Sequence, residues 1–366
     1  MDGDVLRAAL DVAARSSDGS VAVSFQGGEP LLELAKIREV IEDCEANRTG
    51  GHRPVYYLTT NGTLLDEGVA ALLARHRVRT VISFDGVAGA QELRATGTFP
   101  TLDGVLTMLR VEYPEFFSRH VSVAVTLTSS NVVWLGRSIG YLLGKGVRTI
   151  EVNPLFTRDA GWDGDTRGEL DRQFEEVDRL SRDHYERTGR VPVKVLRRYW
   201  RPHRVAPGTR PMCGALAGTK IAVDVDGTAW ACGLLAESCQ ELPDGVMTDL
   251  ADTFRLGHIT DPEIPERLAT LPERIERSSL PFEQRDRRSH RGECRDCRFV
   301  DECAVCPIAL GHVSGASDGR YVSDQLCDFY WTASHVRAEF PELVDPLDLV
   351  RGLFRGRVRH VGGRVT

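Results

Sequence analysis

Toward its C-terminal end the sequence reads Cys294-Arg-Asp-Cys297, five residues, Cys303-Ala-Val-Cys306, and then Cys327 after a loop. A two-residue spacer lets both thiolates of a pair turn toward one ion or one corner of a cluster, and a second pair completes the shell. Upstream, Cys213 and Cys232 flank residues that read as a β-hairpin, so seven thiols can converge. Seven exceeds the four ligands of one tetrahedral site and points to two metal centres. Buried reduced thiols, disulfides and a zinc-binding interaction module are the plainer readings of the same pattern.

A second set of unusual residues lies in the front half. Gln26-Gly27-Gly28-Glu29-Pro30, Asn61-Gly62 and Asp85-Gly86 each follow a run that reads as a β-strand: Val21–Phe25, Val55–Thr59 and Thr80–Phe84. Each is by itself a turn sequence. Three in succession at strand ends point to a pocket, because parallel α/β sheets gather their active sites there. Paired glycines let backbone amides and carbonyls approach a small polar ligand, and Pro30 starts the next helix.

The elements that must hold these loops alternate. Helices are expected at Asp4–Ala14, Leu31–Cys44, Leu65–Arg75, from Val105, and at Trp134–Leu143, with further strands at Val121–Leu127 and Thr149–Val152. Strands of about five residues between helices of about ten predict βαβ units and a parallel sheet. The chain opens on a helix with no strand before it, which leaves a barrel wall one strand short. Asp165–Thr188 reads as a charged helix and Arg197–Arg210 as a proline- and arginine-rich connector. A hairpin turning at Asp224-Val225-Asp226-Gly227 follows. The twelfth position from Asp224 is Leu235 rather than glutamate, so this is a turn and not a calcium loop. Residues 240–290 read as irregular, and the tail from Arg351 is basic.

The length of 366 residues, with 42% hydrophobic and 27% charged content, suits one large and one smaller globular domain. No apolar run reaches the roughly 20 residues of a bilayer span, and no signal peptide is legible. Nine cysteines without an export signal predict reduced thiols in a cytoplasm. The net charge of −7 gives no pull toward nucleic acid or anionic membrane.

Phe25-Gln26-Gly27-Gly28-Glu29-Pro30, Thr59-Thr60-Asn61-Gly62-Thr63 and Ser83-Phe84-Asp85-Gly86 together resemble the radical S-adenosylmethionine (SAM) enzymes, and more narrowly the peptide- and protein-modifying branch with a C-terminal SPASM domain. Arg94 with Gly97-Thr98-Phe99, and Thr126, Thr128 and Asn131, match further segments of that family. The resemblance implies an α/β fold: a partial (β/α)6 TIM-like barrel lacking its first strand over 1–160, a helical connector over 161–212, a cysteine-rich SPASM domain over 213–340 and a basic tail over 341–366. It implies a SAM site of Gln26, Gly27, Gly28, Glu29, Pro30, Asn61, Ser83, Asp85, Arg94 and Thr126, the Gly-Gly-Glu-Pro loop holding the methionyl amino group. It also implies two auxiliary 4Fe-4S clusters. Cys294, Cys297, Cys303 and Cys327 would hold the outer one, and Cys213, Cys232 and Cys306 the inner. Only two residues separate Cys303 from Cys306, where the family usually has three; Cys239 lies off the pattern, and Cys44 reads as core.

The family's Cys-x-x-x-Cys-x-x-Cys motif, in the loop after the first barrel strand, is absent from the sequence given. Without those thiolates no cluster with an open iron can chelate SAM. The chain as given is therefore expected to be inactive, and a misplaced start or a fragment is expected over degeneration because the Gly-Gly-Glu-Pro loop is retained. The expected function is a radical SAM/SPASM maturase. It would abstract hydrogen from a ribosomally made peptide or protein, with a ferredoxin or flavodoxin as electron donor. Gly233 follows Cys232 where sulfatase-maturing members carry an aspartate base, which turns the expectation away from that activity; Gln26 pulls weakly back toward it. The alternative is a non-catalytic iron–sulfur electron-transfer or peptide-binding partner.

Overall fold

The computed structural model describes residues 3–15, 21–46, 54–197, 214–236, 246–278, 283–308 and 320–338. Five strands, β1 (Ala22–Phe25), β2 (Val55–Thr60), β3 (Arg79–Ser83), β4 (Val121–Leu127) and β5 (Ile150–Pro154), form one sheet in sequence order. Every neighbouring pair is parallel. Helices α1 (Gly3–Arg15), α2 (Leu34–Ala46), α3 (Glu67–His76), α4 (Ala88–Arg94), α5 (Phe99–Glu112), α6 (Pro114–His120), α7 (Leu135–Gly144) and α8 (Gly164–Thr188) alternate with the strands. The expected partial barrel is present, with β1 bonded on one side only among the described residues. Past β5 the wall thins to a single parallel bridge between Ile150 and Val193.

Strands β2–β5 bury alternate residues. Tyr56, Leu58, Thr60, Thr80, Ile82, Val123, Val125, Ile150 and Val152 point into the helix-covered core. The opposite face is only partly covered and carries Ser24, Tyr57, Thr59, Ser83, Thr126, Glu151 and Asn153. One face is thus an apolar packing surface and the other the polar wall of a trough.

The second half forms a three-stranded antiparallel sheet of β6 (Ala222–Val223), β7 (Thr228–Trp230) and β8 (Arg255–His258). With it come α9 (Val246–Phe254), α10 (Ile264–Ala269) and α11 (Leu271–Arg277). A small hairpin of β9 (Arg288–Ser289) and β10 (Gly292–Glu293) then leads through the cysteine segment to α12 (Asp324–Ala338). The expected turn at Asp224–Gly227 is there: the Gly227 amide donates to the Asp224 carbonyl at 3.0 Å. Gly227 has φ +89°, and a Cβ would lie 2.3 Å from His258. The expectation of an irregular 240–290 is corrected: three helices and a strand occupy much of it. Two of those helices have six and seven residues, too short to display a helical period, and each opens on a first-turn proline, Pro265 or Pro272.

Two apolar cores hold the chain, and they do not follow its order. The first lies under the parallel sheet and includes Leu326, Phe329, Tyr330 and Ala333 of α12. The second surrounds Trp230, Phe254 and Leu271 and takes in Val5 and Val12 of α1.

Candidate functional site

Nine of the ten residues expected around a small ligand lie at the C-terminal ends of β1–β4 or in the segments that follow directly, and Arg94 closes α4. Two carboxylates tie these ends together. Glu29 Oε1 accepts from the Thr60 hydroxyl at 2.7 Å and the Leu31 amide at 3.0 Å, while Oε2 accepts from the Asn61 amide at 2.7 Å. The loop after β1 is thereby pinned to the end of β2. Asn61 in turn accepts from the amide and hydroxyl of Thr63 at 2.9 and 2.7 Å.

Asp85, 2% exposed, does the same for β3 and β4. It accepts from the Thr126 amide at 2.9 Å, Arg94 Nη1 at 3.0 Å and Asn131 Nδ2 at 3.5 Å. Arg94 Nη1 also donates to the Thr126 hydroxyl at 3.0 Å. Burial pushes the Asp85 carboxyl above the usual carboxylate range, against the pull of Arg94, the Thr126 amide and Asn131. Gln91 supports this knot by accepting from the Asp85 amide at 2.9 Å. Gln91 escaped the sequence reading because a buried glutamine on a short helix has no pattern of its own. Ser83 lies on the trough face of β3.

Gly27 and Gly28 stand apart from these braces. Gly27 has φ +142°, and a Cβ on either glycine would meet no atom within 4 Å. The side of each glycine that a Cβ would occupy is open, which leaves room for a ligand to approach the backbone. Gln26 Nε2 donates to Ser24 Oγ at 3.0 Å, and Pro30 opens the 3-10 turn that leaves the loop.

The cysteine segment encloses a separate cavity of about 550 Å3, lined by Cys294, Cys297, Cys303 and Cys327 together with Arg287, Tyr330 and Trp331. Tight turns hold the thiols: the Cys297 amide donates to the Cys294 carbonyl at 3.1 Å, and the Cys303 amide to the Val300 carbonyl at 3.3 Å. Cys327 sits in the first turn of α12, its Sγ donating to Ser289 Oγ at 3.2 Å. The carboxylate of Asp328, fully buried, anchors that helix. It accepts from Arg167 at 2.9 Å, Arg291 at 2.7 Å and Trp162 Nε1 at 3.1 Å. Cys232 and Cys306 belong to the second core. Cys213 and Cys239 lie outside the described residues, as does the basic tail. Cys44 packs partly buried against the first core.

Burial raises the thiols of Cys327, to about 12, of Cys294, to about 11, and of Cys303. Neighbouring cysteines add to the shift of all three, because adjacent thiolates repel. These groups ionise together only beside a strong cation, so the donor set fits a metal centre. Among the described residues no three His, Cys, Asp or Glu side chains close up as if on a single ion. Four thiols around a cavity this size suit a polynuclear cluster better than one ion with sulfur bonds of about 2.3 Å.

No family model matches the chain. Over 361 residues it is 20% identical to the cysteine-type anaerobic sulfatase-maturating enzyme of Clostridium perfringens, covering 94% of this chain and 88% of that protein. The solved structure of native anSMEcpe with bound AdoMet and Kp18Cys peptide superposes with a TM-score of 0.64 at 17% identity, over 96% of this chain and 91% of the other. The chain shares the fold of that AdoMet-bound structure. The loops braced by Glu29 and Asp85 lie at the strand ends of that fold. The structure of Streptococcus suis SuiB bound to precursor peptide SuiA matches more loosely, with a TM-score of 0.53 at 13% identity over 89% of this chain and 69% of that one. Other relatives match in part: the chain spans 53% of an uncharacterised Methanocaldococcus jannaschii protein at 26% identity.

Proposed function

We propose that this chain is the body of a radical SAM/SPASM maturase that modifies a side chain of a ribosomally made peptide or protein. The observation that carries this reading is the pair of carboxylate braces, Glu29 to Thr60 and Asn61, and Asp85 to Arg94 and Thr126, which steady the strand-end loops while leaving Gly27 and Gly28 open. Gly27 and Gly28, flanked by Gln26 and Pro30, would offer backbone groups to the methionyl moiety of SAM. Asn61, Ser83, Arg94 and Thr126 would complete the polar wall. Bound SAM supplies hydrogen-abstracting chemistry, and iron–sulfur clusters supply or take up electrons.

Cys294, Cys297, Cys303 and Cys327 would hold an outer 4Fe-4S cluster, and Cys213, Cys232 and Cys306 an inner one. The polar face of the sheet is the place for a peptide, the class of ligand named in the two structures above. An electron donor such as a ferredoxin or flavodoxin and a reducing, cytoplasmic setting belong to the same reading. Among the described residues no helix is long and apolar enough to cross a membrane. Gly233, directly after Cys232, offers no base where a sulfatase-maturing enzyme has aspartate, so the substrate is another peptide.

The nine cysteines contain no Cys-x-x-x-Cys-x-x-Cys, which favours one rival: a cluster-bearing partner without catalysis of its own. Protein purified anaerobically from its native source separates the two. Iron in cluster form, SAM binding by equilibrium dialysis and SAM cleavage on reduction support the maturase. Clusters without SAM binding leave the partner reading, and stoichiometric zinc in place of iron overturns both.

A further inference from the structure

Arg287 is 1% exposed, a rare state for an arginine, and it lines the same cavity as Cys294, Cys297, Cys303 and Cys327. Its Nη1 donates to the Val305 carbonyl at 2.9 Å, on the short link between Cys303 and Cys306. Its own carbonyl accepts from the Cys294 amide at 2.9 Å. Gln284, three residues earlier, donates to the Cys303 carbonyl at 2.9 Å. One turn of chain thus seats a permanent cation among the thiols assigned to the outer cluster and beside Cys306, assigned to the inner one.

Resting on the maturase reading above, we infer that Arg287 is an electrostatic tuning residue: its buried guanidinium favours the reduced state of the iron–sulfur cluster held by Cys294, Cys297, Cys303 and Cys327. The physical basis is charge. Reduction adds one electron from a one-electron donor and leaves the cluster one unit more negative, with no bond made or broken. A fixed positive charge in a poorly solvated cavity stabilises that added charge far more than it would in water. Arginine stays protonated in proteins, and a lysine beside an anionic cluster holds its charge as well.

The test compares wild type, Arg287→Gln and Arg287→Lys after anaerobic cluster reconstitution. Iron and sulfide are counted, and the clusters are titrated with dithionite under EPR detection. Arg287→Gln is expected to keep its iron and to titrate at a lower potential. At fixed potential its reduced-to-oxidised ratio should fall at least tenfold, about 59 mV for one electron, with Arg287→Lys closer to wild type. If Arg287→Gln loses iron, retention of iron and potential by Arg287→Lys supports the charge role. Loss in both variants overturns it, because shape rather than charge is then what matters. Equal potentials in fully loaded wild type and Arg287→Gln also overturn it, leaving the maturase reading intact. A wild-type chain that takes up no iron removes that reading and this inference together.

Discussion

Asp85 shows how a single buried side chain can brace a site. Its carboxylate joins the ends of β3 and β4 through Arg94, Thr126 and Asn131, and burial raises its pKa above the ordinary carboxylate value. The folded protein therefore holds this proton to higher pH than the unfolded chain does. Folding stability contributed by that proton is complete below the unfolded value and is lost as pH rises through the folded one. Asp85→Asn removes the titration, so denaturant midpoints of wild type should fall relative to the variant across that acidic window. A difference between the two that does not change with pH would sink the idea. The site's chemistry-bearing residues were legible because glycine pairs, Asn-Gly and Asp-Gly are unusual at strand ends. Their supports were not: Gln91 and the Thr60 hydroxyl act through partners 6 and 31 residues away, which no local pattern records.

The parallel sheet could be read from its rhythm because β2–β5 bury every second residue and each long helix has an apolar side. The loop that carries Asn61 depends on the helix just after it. Asp66 caps α3 by accepting from the Val69 amide at 2.8 Å, and Gly62 is wedged with its φ at +78° against Leu102. Asp66→Ala should cost about 1 kcal/mol of stability, read from a shift in the urea midpoint. No change would mean that packing alone sets the start of α3. The α10–α11 region was illegible for the opposite reason. Its helices last fewer than two turns, and their stability comes from Ile264, Leu268, Leu271 and Ile275 in the second core rather than from propensity. Tertiary burial of that kind leaves little trace in a window of neighbouring residues.

At the scale of the molecule, Asp328 joins three stretches far apart in sequence: Trp162 with Arg167, the β9–β10 turn through Arg291, and α12 itself. Asp328→Ala would strand two arginines beside the thiol cavity. Because those arginines keep partial access to water, the expected loss is modest, about 2 kcal/mol. Lower thermal stability together with lower iron content would bear this out, and an unchanged melting temperature would contradict it. The interleaving of the two cores was beyond sequence reasoning, since it depends on which faces meet rather than on what each face contains. It also has a consequence for how the protein is made. The sheet's core includes side chains of α12, so the sheet cannot close when its last strand leaves the ribosome. Between residue 196 and residue 338 synthesis takes on the order of ten seconds, and during that interval apolar surface under the sheet stays wet. Eight of the nine cysteines are made in the same window, so the nascent chain exposes its thiols together with that apolar surface.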